Sequence, residues 1–495
     1  MINPNQATLD LLKASLGAPS DELAKTVSTT TGLVAYDLQA PAKNLYPVNT
    51  PIRNKLPRVH GGTGVATNWK QVSNIVGSGF DSSGWVPEGQ RSARMSYVTA
   101  SKSASYVTLG EEDQITFEAI NAAVGFEDVQ ATATMRMLQK MMLKEEQALL
   151  FGNAGLTLAV PAAPTLTATG SGATLPALTY SVICVALTGE GWKNSSLVGG
   201  VALSKTITGA DGQSFTLNGG ASNKSAGTSQ AITLGQTLGA TTPPVLGAVA
   251  YAWFVGAVGA ETLQAITTSS TAVFSAPLLG SQQAATAVTG DFSANPSYAF
   301  NGLFTATALG GSGSYVKQLA AGVAGVGTTL TPSTRGTIVE IDVMLQNLWD
   351  NYQVSPTVLY VNSQELKNIT NKILNSGSGP LVTSYKDPAN PYQLTAGGTV
   401  RFYFNPFMMG GGDSIPILIH PNLPAGTILA WCENLPAQYQ SNNVPNVAEV
   451  KVRADYYQLD FALRTRAREF GVYAEETLAI YAPFAMGVIS NIANG

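Results

Sequence analysis

Charge is what this chain has least of. Only 12% of its 495 residues are Asp, Glu, Lys or Arg, against a typical ~25%. The net charge is −4, so the chain as a whole lacks the basic footprint of a nucleic-acid binder or a polybasic membrane anchor. Cysteine is scarcer still. Cys184 and Cys432 lie too far apart to make a disulfide framework or a paired metal spacing, and both are expected as buried small apolar residues. No run approaches the roughly 18 uninterrupted apolar residues of a membrane span. The opening MINPNQATLDLLKASLGAPSDELAK has acidic residues and no basic start followed by an apolar run, unlike a secretory signal. A reducing cytosol is the expected compartment, with no membrane partner.

Site chemistry is equally sparse. His60 precedes a GGTG turn and His420 sits in LIHPNLP, each without a second His or Cys at ligand spacing. Structural histidines are the expectation. No GxSxG elbow surrounds a serine. The glycine runs at 61–64, near 310 and near 410 lack the phosphate-cradling GxxxxGK[ST] pattern and the strand-to-helix context of a dinucleotide site, so they read as turns. Glu111, Glu112 and Asp113 form an acidic knot ahead of a predicted helix, where the helix dipole favours negative charge. Capping and subunit contacts suit them better than the facing carboxylates of a glycosidase cleft. No catalytic, cofactor or metal site is expected, and the chain reads as a non-enzyme.

What is present is a sequence of distinct segments in a chain long enough for more than one domain. Residues 1–50 are polar and turn-rich, with Pro41 and Pro47 barring a long helix, and read as an extended N-terminal arm. GWVPEGQRSARMSYVTASKSASYVTLGEED, residues 84–113, has strand-forming residues but little side-chain area to bury. A hairpin of that kind is marginal alone, so it needs a partner surface, which another copy of the chain would supply. A long helix follows, with Ala131, Met135, Leu138, Met142 and Leu149 predicted on one stripe, Asp128 as an N-cap and Gly152 as the stop.

From about 156 the composition turns to Ala, Thr, Gly, Ser and Val. Up to residue 316 the only charges are Glu190, Lys193, Lys205, Asp211, Lys224, Glu261 and Asp291. Short strand-like runs with Gly-rich turns predict an all-β sandwich of immunoglobulin or fibronectin type III sort. The next part reads as helix, buried strand, helix: Ile338, Ile341, Leu345 and Leu348 share a helical face, and TVLYV is an apolar strand. Long alternating strands close the chain. Among them LRTRAREF is predicted to carry Arg464, Arg466 and Arg468 on one strand face, answered by water, by a neighbouring subunit's carboxylates or by phosphates.

The order of these parts resembles the major capsid protein of tailed bacteriophages, whose Johnson fold is shared by encapsulins and herpesvirus capsid floors. TPIRNKLPRV running on to NWKQVSN and GWVPEGQRS is similar to the start of that family's extended loop, and SYVTASKSASYVTLGEEDQ to its return strand. EEQALLFGNAG is similar to the end of its spine helix. SPTVLYVNSQELKNI and PILIHPNLPAGTILAW resemble its axial domain, and FALRTRAREFGVYAEETLAIYAPFAMGVI its closing peripheral strands.

The resemblance implies an α+β fold divided as follows: N-terminal arm 1–50, extended β loop and start of the peripheral domain 51–110, spine helix 111–155, an inserted immunoglobulin-like β domain 156–298, axial domain 299–445, and peripheral closing strands 446–495. It implies pentamers and hexamers forming an icosahedral shell around double-stranded DNA held by non-specific contact. A scaffolding protein, a portal and a decoration protein are the partners it implies, with the insertion projecting outward, assembly in the bacterial host cytoplasm and residence in the virion capsid. Trp85, Glu88, Arg91, Glu111, Glu112, Arg464, Arg466 and Arg468 are the candidate subunit-interface residues. Three other classes stay open: an encapsulin-type protein compartment, a tail-tube or surface-layer protein, and a secreted glycan-active enzyme with a fibronectin-like module.

Overall fold

A computed structural model describes residues 47–76, 84–170, 172–333, 336–374, 399–408, 410–436 and 446–495. Nearly all of the predicted N-terminal arm lies outside the described residues. The chain divides into two units, one containing Ile115–Ala133 and the other Val48–Gln114 with Thr134–Gly495.

The first elements in chain order are β1 (Arg58–His60), β2 (Ala66–Val76), β3 (Ser96–Ser105), β4 (Val107–Thr116), α1 (Phe117–Ala122) and α2 (Val129–Phe151). The predicted return strand is in fact two strands. It breaks at Tyr106, whose N–H donates to Val65 O at 3.0 Å; β3 pairs with β2 in a two-stranded ribbon, whereas β4 joins another sheet. The acidic knot therefore lies on β4, and Thr116 rather than an acid caps α1, accepting from Ala119 N at 3.3 Å. Asp128 takes its predicted place at the start of α2, accepting from Ala131 N at 3.0 Å, and α2 ends one residue before Gly152.

The predicted apolar stripe of α2 is displaced. Ala131 and Met135 are exposed, and the buried positions of the helix's later part are Met137, Met141, Glu145, Glu146, Leu149, Leu150 and Phe151, of which only Leu149 belongs to the predicted stripe. Two carboxylates thus stand on the buried face, and a pattern read from apolar residues alone slides away from them.

Next come β5 (Thr165–Thr169), β6 (Leu178–Leu187), α3 (Gly189–Asn194), β7 (Ser204–Thr208), β8 (Ser214–Asn218), β9 (Thr228–Ile232), β10 (Thr237–Thr241), β11 (Ala250–Gly256), β12 (Thr262–Thr267) and β13 (Thr271–Phe274). They form antiparallel sheets in the orders β13-β10-β5 and β12-β11-β6-β9, with β7 and β8 as a separate hairpin. Period-2 alternation with a core on each face explains why Val182–Leu187 of β6 and β11 are apolar throughout. Tyr180, Val182, Cys184, Tyr251, Trp253 and Val255 enter the core shared with the three-stranded sheet, whereas Ile183, Val185, Leu187, Ala252 and Phe254 enter a second core on the opposite face.

The chain leaves and returns to this module side by side. Gly302 N donates to Gly152 O at 2.8 Å and Asn295 N to Asn153 O at 2.8 Å. A Cβ on Gly302 would come within 2.6 Å of the Leu150 carbonyl carbon, so only glycine admits this backbone approach. The module is also tied to its unit away from this neck: Ser270 N donates to Asn491 Oδ1 at 2.6 Å, Gln318 Nε2 to Val245 O at 2.7 Å, and Arg464 Nη1 to Ala210 O at 2.8 Å.

The remaining elements are α4 (Leu303–Ala308), β14 (Tyr315–Gln318), α5 (Val339–Tyr352), β15 (Val358–Val361), α6 (Ser363–Leu374), β16 (Phe402–Asn405), β17 (Asp413–Ile419), β18 (Ile428–Trp431), β19 (Ala448–Asp460), β20 (Ala467–Ile480) and β21 (Met486–Ser490). A six-stranded mixed sheet runs β14-β21-β18-β15-β17-β16, and a four-stranded sheet runs β1-β19-β20-β4. The 446–495 segment is thus shared between two sheets, because β21 pairs with β18 and β14 rather than with β20. Ile338, Ile341, Leu345 and Leu348 are all buried, as their spacing predicts, and share a core with Leu359, Val361 and Ile489. Val358 and Tyr360 face the opposite core with Trp431, Val488 and the end of α2.

Candidate assembly site

The β2–β3 ribbon is the feature that most needs explaining. Its strands pair from Ala66↔Ser105 to Val76↔Ser96, with a register shift between Val72 and Asn74, and no residue of β3 is buried. Its base is anchored by the Trp69 ring packed edge-on against Tyr481 at 5.4 Å. Beyond the base, Val72, Met95, Tyr97 and Val98 are exposed, and Trp85 is 93% exposed. Glu88 and Arg91 lie with Trp85 on the irregular segment leading to β3, and both are exposed.

The other candidate residues separate from these. Glu111 accepts from Lys140 Nζ at 2.9 Å and also pairs with Lys144, both on α2, and Glu112 accepts from the Tyr473 hydroxyl. These acids are engaged within their own chain. The three arginines do not share a strand face: Arg464 and Arg466 lie in the connection between β19 and β20, and only Arg468 is on β20. Of the alternating run that reads as a strand, Leu463–Arg466 is an exposed loop and the strand starts only at Ala467.

The same unit contains a buried ionic clamp that sequence reading missed. Consecutive residues of α2 grip the turn before β1. Glu146 accepts from Ile52 N at 3.0 Å, from Arg53 N at 2.7 Å and from His420 Nε2 at 2.6 Å. His420 Nδ1 in turn accepts from Asn422 N at 3.1 Å, which places the ring proton on Nε2.

Glu145 takes Arg53 Nε at 2.6 Å, Arg58 and the Tyr456 hydroxyl. Arg58 Nη2 also reaches Asp455 at 2.8 Å and Glu476 at 3.0 Å. The Tyr456 ring lies 5.3 Å from the Arg53 guanidinium and 5.4 Å from that of Arg58, a cation–π arrangement. Burial alone would lower the Arg58 pKa, but Glu145, Glu476 and Asp455 outweigh it and hold the guanidinium above its ordinary value. Burial, reinforced by Glu145, pushes the Glu476 carboxyl up to about 8. The available signal was the Glu-Glu pair at the apolar end of a helix in a chain this poor in charge.

Glu146 here holds the backbone of Ile52 and Arg53. Glu146 and His420 have no solvent access, and among the described residues no group of three or more His, Cys, Asp or Glu is placed to hold a metal ion. No described helix is long and apolar enough to cross a membrane.

No protein-family model matches the chain, and no curated protein matches it. Among solved structures it is similar to the capsid of a native GTA particle, at 11% identity and TM-score 0.42, covering 95% of this chain and 99% of that one. It is similar to the holo-SrpI encapsulin complex of Synechococcus elongatus PCC 7942, at 8% identity and TM-score 0.41, covering 92% and 93%. The capsid of Myoviridae phage XM1 is similar at 9% identity and TM-score 0.41, covering 92% and 97%.

Proposed function

We propose that the chain is the shell-forming subunit of an icosahedral capsid, assembling through pentamers and hexamers around the double-stranded DNA of a tailed phage. The observation that carries this reading is the β2–β3 ribbon, which among the described residues pairs as a separate two-stranded sheet, with Tyr97 on β3 and Trp85 and Met95 on the segment leading to it exposed to water. Such a ribbon is unstable alone, and laying it across a neighbouring copy buries those side chains. Obligate interfaces of this kind remove more than roughly 2,000 Å² from water. At ~25 cal/mol per Å² of apolar area, repetition around a closed shell makes assembly strong although each ribbon is weak.

In this reading Trp85, Glu88 and Arg91 contact the neighbouring subunit. Arg464, which donates to Ala210 O, and Arg466 and Arg468 are exposed residues that a neighbouring subunit or phosphate would meet at the surface. The partners are further copies, a scaffolding protein, a portal and a decoration protein, with assembly in the bacterial cytoplasm and the virion as destination. The chain acts by packing, without catalysis.

Electron microscopy of the purified protein, expressed with and without its neighbouring scaffold gene, tests this. Closed shells of regular diameter containing nuclease-protected DNA after infection are the expected result. Shells filled with a protein cargo would replace the capsid reading with a compartment, and a stable monomer under every condition would overturn both.

A further inference from the structure

The clamp contains a charge imbalance that packing alone does not require. Glu145, Asp455 and Glu476 converge on Arg58, and Arg53 adds a second guanidinium at Glu145. Glu145 and Glu476 are fully buried, and the second oxygen of Glu476, Oε1, has no hydrogen-bond partner. The other groups facing the cluster are the Tyr456 hydroxyl on Glu145 and His60, whose Nε2 lies 3.7 Å from Asp455. Lys55, on the same segment, pairs instead with Glu433, and Glu146 is committed to His420.

We infer that residues 50–60 are held by a proton-dependent latch, in which three carboxylates face two guanidiniums, so the closed arrangement keeps a proton on Glu476 and loosens when that proton passes to solvent. Ionised Glu476 would be a second fully buried negative charge beside Glu145, while the partly exposed Asp455 also draws on Arg58, and repulsion in a poorly screened site is strong. The elevated Glu476 pKa agrees with this count. The segment released is the one leading from the N-terminal part of the chain to β1, and β1 in turn pairs with β19. Alkaline conditions therefore free this connection while the cores stay packed. The inference does not depend on shell formation.

Hydrogen exchange of the full-length chain at pH 6 and pH 9, expressed as protection factors to remove the intrinsic pH dependence, tests the latch. Protection of residues 50–60 in the wild type is expected to fall roughly tenfold or more between the two, with the cores around Trp253 and Trp431 unchanged. Glu476→Gln, uncharged at both values, is expected to keep its protection at pH 9. Glu145→Gln, which leaves two carboxylates for two guanidiniums, is also expected to lose the pH dependence. Equal wild-type protection at both values, or the same fall in both variants, would overturn the proposal.

Discussion

His420 Nε2 stands 2.6 Å from Glu146 Oε1, and the two residues are 274 positions apart in the sequence. The contact joins the end of α2 to the loop after β17, while the same carboxylate holds the backbone of Ile52 and Arg53. Glu146→Ala would leave three donors without a partner, at a cost of about 3 kcal/mol or more. Glu146→Gln, which keeps an acceptor, is expected to lose less. Urea denaturation of the unassembled subunit gives the order directly, and equal stability of Glu146→Ala and wild type would remove the clamp from the account.

Gly302→Ala tests the neck of the β module. Its Cβ would meet the Leu150 carbonyl carbon at 2.6 Å and Ala148 O at 2.8 Å, backbone atoms of α2 that cannot swing aside. A loss of about 1–3 kcal/mol is expected, read as a lower Tm. Gly310→Ala, with open space around it, is the control and is expected to be near neutral.

The long helix shows what was legible in the sequence. Its existence, its Asp128 cap and its end before Gly152 follow from spacing and turn chemistry, as does the buried face of α5. Its buried face does not, because Glu145 and Glu146 are stabilised by Arg53, Arg58 and His420 from distant segments. The same limit explains Arg464 and Arg466. Alternation fits a strand, but β20 begins only at Ala467, and no Gly or Pro marks the loop before it. The break at Tyr106 is likewise set by pairing partners, Val65 on one side and β20 on the other, and leaves no trace in composition.

On the acid side, Glu449 sets the expected pH dependence. Burial would raise its pKa, but hydrogen bonds from Lys451, Asn446 and Tyr481 hold it below the ordinary carboxylate value. A depressed pKa contributes stability above the unfolded value, lost as pH falls through the folded one. Wild-type stability is therefore expected to drop as pH decreases below the usual carboxylate range, and Glu449→Gln to show a shallower drop. Thermal melts between pH 6 and pH 2 check it; parallel curves would contradict it.

Both thiols are buried. Burial pushes Cys184 strongly up and Cys432 up to about 12, so neither forms the thiolate that alkylating reagents attack. Iodoacetamide at pH 8 is expected to label neither in the native protein and both in denaturant. Rapid native labelling of either would contradict the packing described.

The central claim is that the ribbon joins subunits, and excising it tests this most directly. Gln71 and Ala100 are register partners above the Trp69 anchor, so residues 72–99 can be replaced by an Asn-Gly turn that closes the shortened hairpin. Sedimentation and electron microscopy would then compare this variant with the wild type. The account predicts a folded subunit, with wild-type circular dichroism, that remains unassembled where the wild type forms closed shells. Shells of normal size and yield from the shortened chain would contradict it.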